Sequence, residues 1–282
     1  MNCDLHTHSV FSDGTWTPEE LVAEAERQGL AAIALTDHNT VAGLPRFLKA
    51  AEGKSVEAVP GVEFSTDYRE LDLHIVALDV GEAAYDRVIA LMAESNRAKE
   101  ESNIDLCEGL RKAGYPLDYP AIRDATPNRQ VNRAHIARAM VDLGYFPDSQ
   151  TAFATVLSPD YGIYHPPKRP SSFEMIRFIR SIGAIPVLAH PFLKLSEAGV
   201  REFLRQAVPA GLIGMECNYV SFTPEQTALA HRLCAEFGIL PSGGSDFHGS
   251  NKPGVFVGTG RGNLAVPAEF LPALRNRKRI SG

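Results

Sequence analysis

Short apolar runs alternate along this chain with longer stretches in which apolar residues recur at helical spacing. The runs fall at residues 3–5, 30–35, 56–59, 71–78, 184–189, 212–217 and 239–241, and helical patterns open at Thr17, near Val41, at Ser171 and at Thr223. The runs predict strands, and the alternation predicts βαβ units around a parallel sheet. Thr17-Pro18 with Glu20 reads as an N-terminal capping box, with Gly29 just past the helix end. The same grammar returns at Thr223-Pro224-Glu225-Gln226 with Gly238 and at Ser171-Ser172-Phe173-Glu174 with Gly183.

Between residues 96 and 165 the alternation gives way to polar helical stretches broken at Gly114-Tyr115-Pro116 and Thr126-Pro127-Asn128, then resumes. This segment reads as an inserted helical cap, leaving residues 1–95 and 166–282 to one barrel. A chain of 282 residues matches an α/β barrel of about 250 residues that carries an insertion.

Composition narrows the class. With 44% hydrophobic and 22% charged residues the chain is globular, neither disordered nor fibrous. Its 28 Lys+Arg against 34 Asp+Glu, a formal charge of −6, argue against an obligate binder of duplex DNA but leave small anions open, since a local cluster of cations can hold them. Cys3, Cys107, Cys217 and Cys234 show no paired spacing, and the opening residues lack a basic segment followed by an apolar run; a reducing cytoplasm without a secretory leader is expected. The longest apolar stretch, residues 184–193, is interrupted by Pro186, His190 and Pro191, so no membrane span is expected. The basic run Arg275-Asn276-Arg277-Lys278-Arg279 reads as a solvated helix terminus.

Almost every expected strand ends in a residue able to bind metal. His6 and His8, separated by one residue, project from the same side of the first strand, and Asp13 follows in the next loop. His38 follows the second strand and Glu63 the third; His74 lies in the fourth, His190 ends the fifth, Glu216 lies in the sixth, and Asp246 and His248 follow the seventh. Taken singly, His74 is more simply a hydrogen-bonded core histidine. Their joint placement changes this, because a parallel barrel brings its strand ends to one face. So many carboxylates and imidazoles packed together would repel and lose hydration unless divalent cations joined them, and the six histidines with Asp13, Glu63 and Asp246, nine ligands, suit two or three ions. A His/Asp/Glu set without cysteine fits Mn²⁺, Zn²⁺ or Fe²⁺.

Asp4-Leu5-His6-Thr7-His8-Ser9, Ser12-Asp13-Gly14, Thr36-Asp37-His38, Glu63, His74, His190-Pro191 and Gly244-Ser245-Asp246-Phe247-His248 closely resemble the motifs of the PHP (polymerase and histidinol phosphatase) family of metal-dependent phosphoesterases, across nearly the whole chain. The resemblance implies a distorted (β/α)7 TIM-like barrel of the amidohydrolase superfamily. It implies that His6, His8, Glu63 and Asp246 hold one ion, Glu63, His74 and His190 a second, and Asp13, His38 and His248 a third, with Mn²⁺ the expected metal. The implied reaction is hydrolysis of a phosphate monoester, with Asp246, His8 and His190 at the reacting centre and Asp37 and Glu216 orienting ligands.

The segment Asn132-Arg133-Ala134-His135-Ile136-Ala137-Arg138 is similar to the stand-alone branch of that family, which includes 3′,5′-nucleoside bisphosphate phosphatases and 5′-to-3′ exoribonucleases. A nucleotide with a second phosphate, or the 5′ end of a short RNA, is then the expected substrate; histidinol phosphate is the alternative within enzymes. A non-catalytic metal-binding regulatory module is the alternative outside them, opposed by the complete ligand set. Arg129, Arg133, His135, Lys168 and Asn218 are the candidate substrate contacts, because a phosphate that is not cleaved needs a holder other than the metals and arginine supplies paired donors. Gly258-Thr259-Gly260-Arg261-Gly262 lacks the dinucleotide-binding spacing and reads as a loop.

Overall fold

The computed structural model describes residues 1–126 and 129–280; Pro127 and Asn128 of the expected break lie outside the described residues. Strands β1 (Asn2–Thr7), β2 (Ala32–Leu35), β3 (Glu57–Tyr68), β4 (Leu71–Leu78), β5 (Ile185–Leu188), β6 (Gly214–Tyr219), β7 (Leu240–Gly244) and β8 (Val266–Pro267) form one sheet in the order β7-β6-β5-β4-β3-β2-β1-β8. The sheet curls into a nearly closed, TIM-like barrel. Where β7 returns to β1, the Asp246 amide donates to His6 O at 2.8 Å and the His8 amide to Phe247 O at 2.9 Å.

Two features depart from an all-parallel ring of seven. The short β8 pairs antiparallel with β1 at one edge, and β4 runs antiparallel to both β3 and β5. β3 turns straight back into β4 through Arg69 and Glu70, with φ of 54° and 66°. Such a two-residue hairpin needs positive φ at both turn positions and usually carries Asn-Gly; Arg-Glu gives no such signal in sequence.

Helices α1 (Pro18–Arg27), α2 (Leu44–Ala50), α7 (Ser172–Ser181), α8 (Glu197–Ala207) and α9 (Pro224–Phe237) cover the outside of the sheet. Thr17 with Glu20 and Thr223 with Gln226 close capping boxes, whereas Ser171 caps α7 by accepting from the Phe173 amide alone. Inside the barrel floor, Cys3, Leu5 and Ile213 pack with Leu271 and Leu274 of α10 (Phe270–Ile280), so the last helix plugs the end opposite the strand ends. The basic run is more than solvated: Arg275 grips Asp79 through two bonds of 2.8 and 2.7 Å and reaches Glu57 at 2.7 Å.

The inserted helices are α3 (Tyr85–Lys112), α4 (Tyr119–Ala125), α5 (Arg133–Asp142) and α6 (Ser149–Ala154). They hold a separate core built from Leu106, Leu110, Ile136, Met140 and Leu157. Residue 96 falls inside α3, whose first half packs Val88 and Met92 into the barrel's core and whose second half packs Leu106 and Leu110 into the cap's. One continuous helix thus ties cap to barrel.

The barrel's closure depends on Gly244. A Cβ there would stand 2.4 Å from His6 Cβ and 2.6 Å from His6 N, and backbone so placed cannot give way. Gly244→Ala is expected to destabilise the protein by about 3 kcal/mol and lower Tm by roughly 5–10 °C in thermal unfolding; an unchanged Tm would contradict this account of the closure.

Candidate metal centre

Each ligand is placed by a strand end and then braced. His6 and His8 alternate with Thr7, whose hydroxyl donates to Ala34 O at 2.6 Å, so both imidazoles turn into the barrel mouth. Glu216 on β6 fixes two ligands at once: its Oε1 faces His6 Nδ1 at 2.8 Å, and its Oε2 accepts the His190 amide at 2.6 Å. Asp4, fully buried beneath them, accepts the Ser245 amide and hydroxyl (2.8 and 2.6 Å) and the Gly258 amide (2.7 Å), anchoring the loop that presents Asp246. Asp37 accepts from the Ser9 amide and hydroxyl and the Ser12 hydroxyl, and so orients the loop that carries the ligand candidate Asp13. Asp246 and His190 sit at φ of 51° and 26°, left-handed backbone that surrounding structure must hold in place.

The ligand atoms converge. His6 Nε2 and His8 Nε2 are 3.0 Å apart, both lie 3.2 Å from Glu63 Oε2, and Asp246 Oδ1 stands 3.3 Å from His8 and 3.7 Å from His6. Glu63 Oε1 faces His74 Nδ1 at 2.8 Å and His190 Nε2 at 2.9 Å. Asp13 lies 3.3 Å from His248 Nε2 and 3.6 Å from His38 Nε2. Atoms bound to one ion at about 2.1 Å sit roughly 3.0–3.4 Å from one another, which is the spacing found around Glu63. Buried Glu63 Oε2 and His38 Nδ1 have no hydrogen-bond partner although they lie 3.2 Å apart. Orphaned lone pairs converging in a buried site fit divalent cations.

Without cations, protons must do that work. Burial disfavours a charged imidazole, yet carboxylates outweigh it: Asp246 and Glu63 carry His8 up to about 9, and Glu63 and Asp72 carry His74 up to about 10. Burial wins at His38, pushed down to about 3. Burial alone would raise Glu63, but the imidazoles around it hold its carboxyl well below the ordinary range. Metal must therefore displace protons to enter.

Beside the cluster lies a cavity of about 220 Å³. Asp13, His38 and His74 line it from the barrel, and Lys99, Asn132 and Arg133 from the inserted helices. Arg133 stacks over Tyr164, 4.1 Å from the ring centre, and donates to Leu157 O. His135 accepts the Asn132 amide at its Nδ1, closing a capping box on α5, and burial lowers its proton affinity. Three expected contacts are elsewhere. Arg129 is exposed and paired with Asp124 at 2.5 Å, Lys168 is exposed, and Asn218 is occupied by Ala265 O and His231. The neighbours of the last two face the site instead. Arg169 lines the cavity and reaches Asp72 at 3.0 Å, and the Tyr219 hydroxyl donates to Asp246 Oδ2 at 2.7 Å.

Two lysines were missed in sequence. Lys252 Nζ donates to Asp246 Oδ2 at 2.6 Å. Lys99 bonds Asn132 Oδ1, and burial pushes it down to about 8. Ser95, Lys99 and Asn103, spaced four apart, were a legible polar stripe on one face of α3.

Similarity to known proteins agrees with this geometry. The PHP domain model matches residues 4–122. A 5′-3′ exoribonuclease of Haemophilus influenzae is 33% identical over 87% of this chain and 89% of its own. The chain belongs to the PHP family. A 3′,5′-nucleoside bisphosphate phosphatase of Chromobacterium violaceum is 29% identical over 91% of this chain and 90% of its own. A solved structure from Bifidobacterium adolescentis, described as a metal-dependent phosphoesterase, superposes with a TM-score of 0.86 at 27% identity, covering 98% of this chain and 96% of that one. This PHP protein is a metal-dependent phosphoesterase, and among the described residues no helix is long and apolar enough to cross a membrane.

Two outcomes are expected. Calorimetric loading with Mn²⁺ or Zn²⁺ at pH 7.5, in buffers of different ionisation heat, should show proton release, and affinity should fall as pH drops from 8 to 6; a pH-independent affinity would contradict the displacement of protons. Glu63→Gln should lower bound metal by more than one equivalent in elemental analysis, whereas His248→Ala should remove about one, because Glu63 faces two ligand groups and His248 one.

Proposed function

We propose that this PHP protein removes the 3′-phosphate from a 3′,5′-bisphosphonucleoside, yielding a nucleoside 5′-monophosphate and inorganic phosphate. The observation that carries the reading is the single cavity in which ligand residues Asp13, His38 and His74 meet the cations Lys99, Arg133 and Arg169. A substrate with one phosphate to lose and one to keep needs both. Bound divalent ions would supply Lewis acidity, lowering the pKa of water and offsetting charge on the phosphoryl oxygens.

The protein's own groups divide the remaining work. Arg133, held over the Tyr164 ring, and Arg169, fixed by Asp72, offer paired N–H donors to the phosphate that is retained. Lys99 adds an ammonium whose charge a bound dianion would stabilise. Asp246 presents Oδ1 to the ligand cluster while Tyr219 and Lys252 hold Oδ2, keeping the carboxylate in one orientation beside the reacting phosphate. With Lys252 Nζ 2.6 Å away, that Asp246 edge is also where a proton can pass toward the leaving 3′ oxygen. The inserted helices cover the mouth and limit bulk water.

Mn²⁺ as the metal, the cytoplasm as location and the absence of a duplex-DNA partner belong to the same reading. A second reading, stepwise trimming of short RNA from a 5′ phosphate, is favoured by the Haemophilus relative and uses the same two phosphate positions.

Mn²⁺-loaded protein is expected to release phosphate from a 3′,5′-bisphosphonucleoside and to lose nearly all turnover in Asp246→Asn. Arg133→Ala should raise KM about 10- to 100-fold with a smaller effect on kcat, the loss of a charge-assisted bond to a buried phosphate. Equal efficiency on a nucleoside 3′-monophosphate or on histidinol phosphate in a phosphate-release assay would overturn the reading.

A further inference from the structure

A second cavity, of about 370 Å³, is lined by α3 and by residues 129–131, which lead into α5. Lys99 borders both cavities. The residues around it divide cleanly: Ser95 and Asn132 line the first cavity, Asn96 and Val131 the second. Lys99, which bonds Asn132, is thus the lining residue that the two cavities share.

The second chamber is cationic. Arg97, Lys99 and Arg129 line it against one acid, Glu100, which Arg123 already engages at 3.0 Å. Arg97 is exposed and forms no ion pair among the described residues. Arg129 pairs with exposed Asp124, a pairing worth little in water and readily exchanged for a phosphate. Asp13 and His38 line the first cavity and not this one, and Lys99 is common to both.

We propose that the second chamber receives the outer phosphate of a nucleotide whose 5′ end carries a diphosphate, so that the enzyme takes 3′-phosphorylated nucleoside 5′-diphosphates as well as bisphosphonucleosides. The inference rests on the reading above, in which Lys99, Arg133 and Arg169 hold the 5′-phosphate. The outer phosphate lies one anhydride link further, past Lys99, where Arg97 and Arg129 meet it. The reaction is unchanged: the bond between the 3′ oxygen and phosphorus breaks, water supplies the oxygen to inorganic phosphate, and the 3′ oxygen takes up a proton.

Binding tests this without turnover. Calorimetry on metal-loaded protein would use adenosine 5′-monophosphate and adenosine 5′-(α,β-methylene)diphosphate, neither of which has a 3′-phosphate. The diphosphate should bind about 5- to 10-fold more tightly to the wild type, the gain expected from one or two additional charge-assisted contacts. Arg97→Ala, a change at an exposed position, should shrink that gap below about twofold while leaving monophosphate affinity unaltered; Arg129→Ala should narrow it as well. Equal affinities in the wild type would overturn the proposal. So would a gap that survives in the double variant, since the extra phosphate would then be read by the metals or by Lys99. Phosphate release from a bisphosphonucleoside is measured separately, so failure of the 3′-phosphatase reading leaves the comparison of the two 5′ ligands intact.

Discussion

Everything at the mouth of this barrel is organised around one buried carboxylate. Glu63 is fully buried, with imidazole nitrogens of His6, His8 and His38 near one oxygen and those of His74 and His190 near the other. A carboxylate in that position costs several kcal/mol of lost hydration unless cations replace the water. Protons on the imidazoles can do so partially, as the upward displacement of His8 and His74 shows. They cannot satisfy Glu63 Oε2 or His38 Nδ1, which stay without hydrogen bonds. Only a multiply coordinated ion uses all the lone pairs at once, and that requirement joins stability to chemistry: the arrangement that makes the apo site unfavourable is the one that makes the loaded site a Lewis acid.

The scaffold meets this demand through buried acids that stand behind the ligand candidates. Asp4, Asp37 and Glu216 each accept two or more hydrogen bonds from backbone or side chains near a ligand, and each lies on or just after a different strand. They hold loops whose backbone would otherwise relax, including Asp246 and His190 in left-handed conformation. Gly244 permits the close passage of β7 past β1 that brings Asp246 against His6. Closure of the barrel and assembly of the site are thus one event, which is why a methyl group at Gly244 bears on stability and on the placement of ligands alike.

Much of this was legible in the chain. Candidate ligands followed from residue type at strand ends, because metal coordination tolerates few side chains and a strand's period of two fixes which positions share a face. Helix ends at Thr17 and Thr223 were equally plain, since capping is a local interaction. The antiparallel β4 was not, because its hairpin turns on Arg69-Glu70, residues with no preference for positive φ. On the substrate side the sequence offered candidate cations without their directions. Lys168 and Asn218 were expected where Arg169 and Tyr219 stand, since adjacent residues of an extended segment point to opposite sides and sequence does not say which side is inward.

By itself, then, the amino-acid sequence determined a barrel with an inserted helical segment and a candidate ligand set of nine residues, because local periodicity, capping and coordination chemistry are properties of short stretches. Tertiary structure alone decided which of the many arginines and lysines face the cluster. Arg133 does so because it is held over the Tyr164 ring, Lys99 because α3 runs unbroken from barrel to cap, and Lys252 because the last loop folds back onto Asp246. Charge is written in the sequence, but its direction depends on packing between segments far apart in the chain, and that packing forms only when the sheet closes.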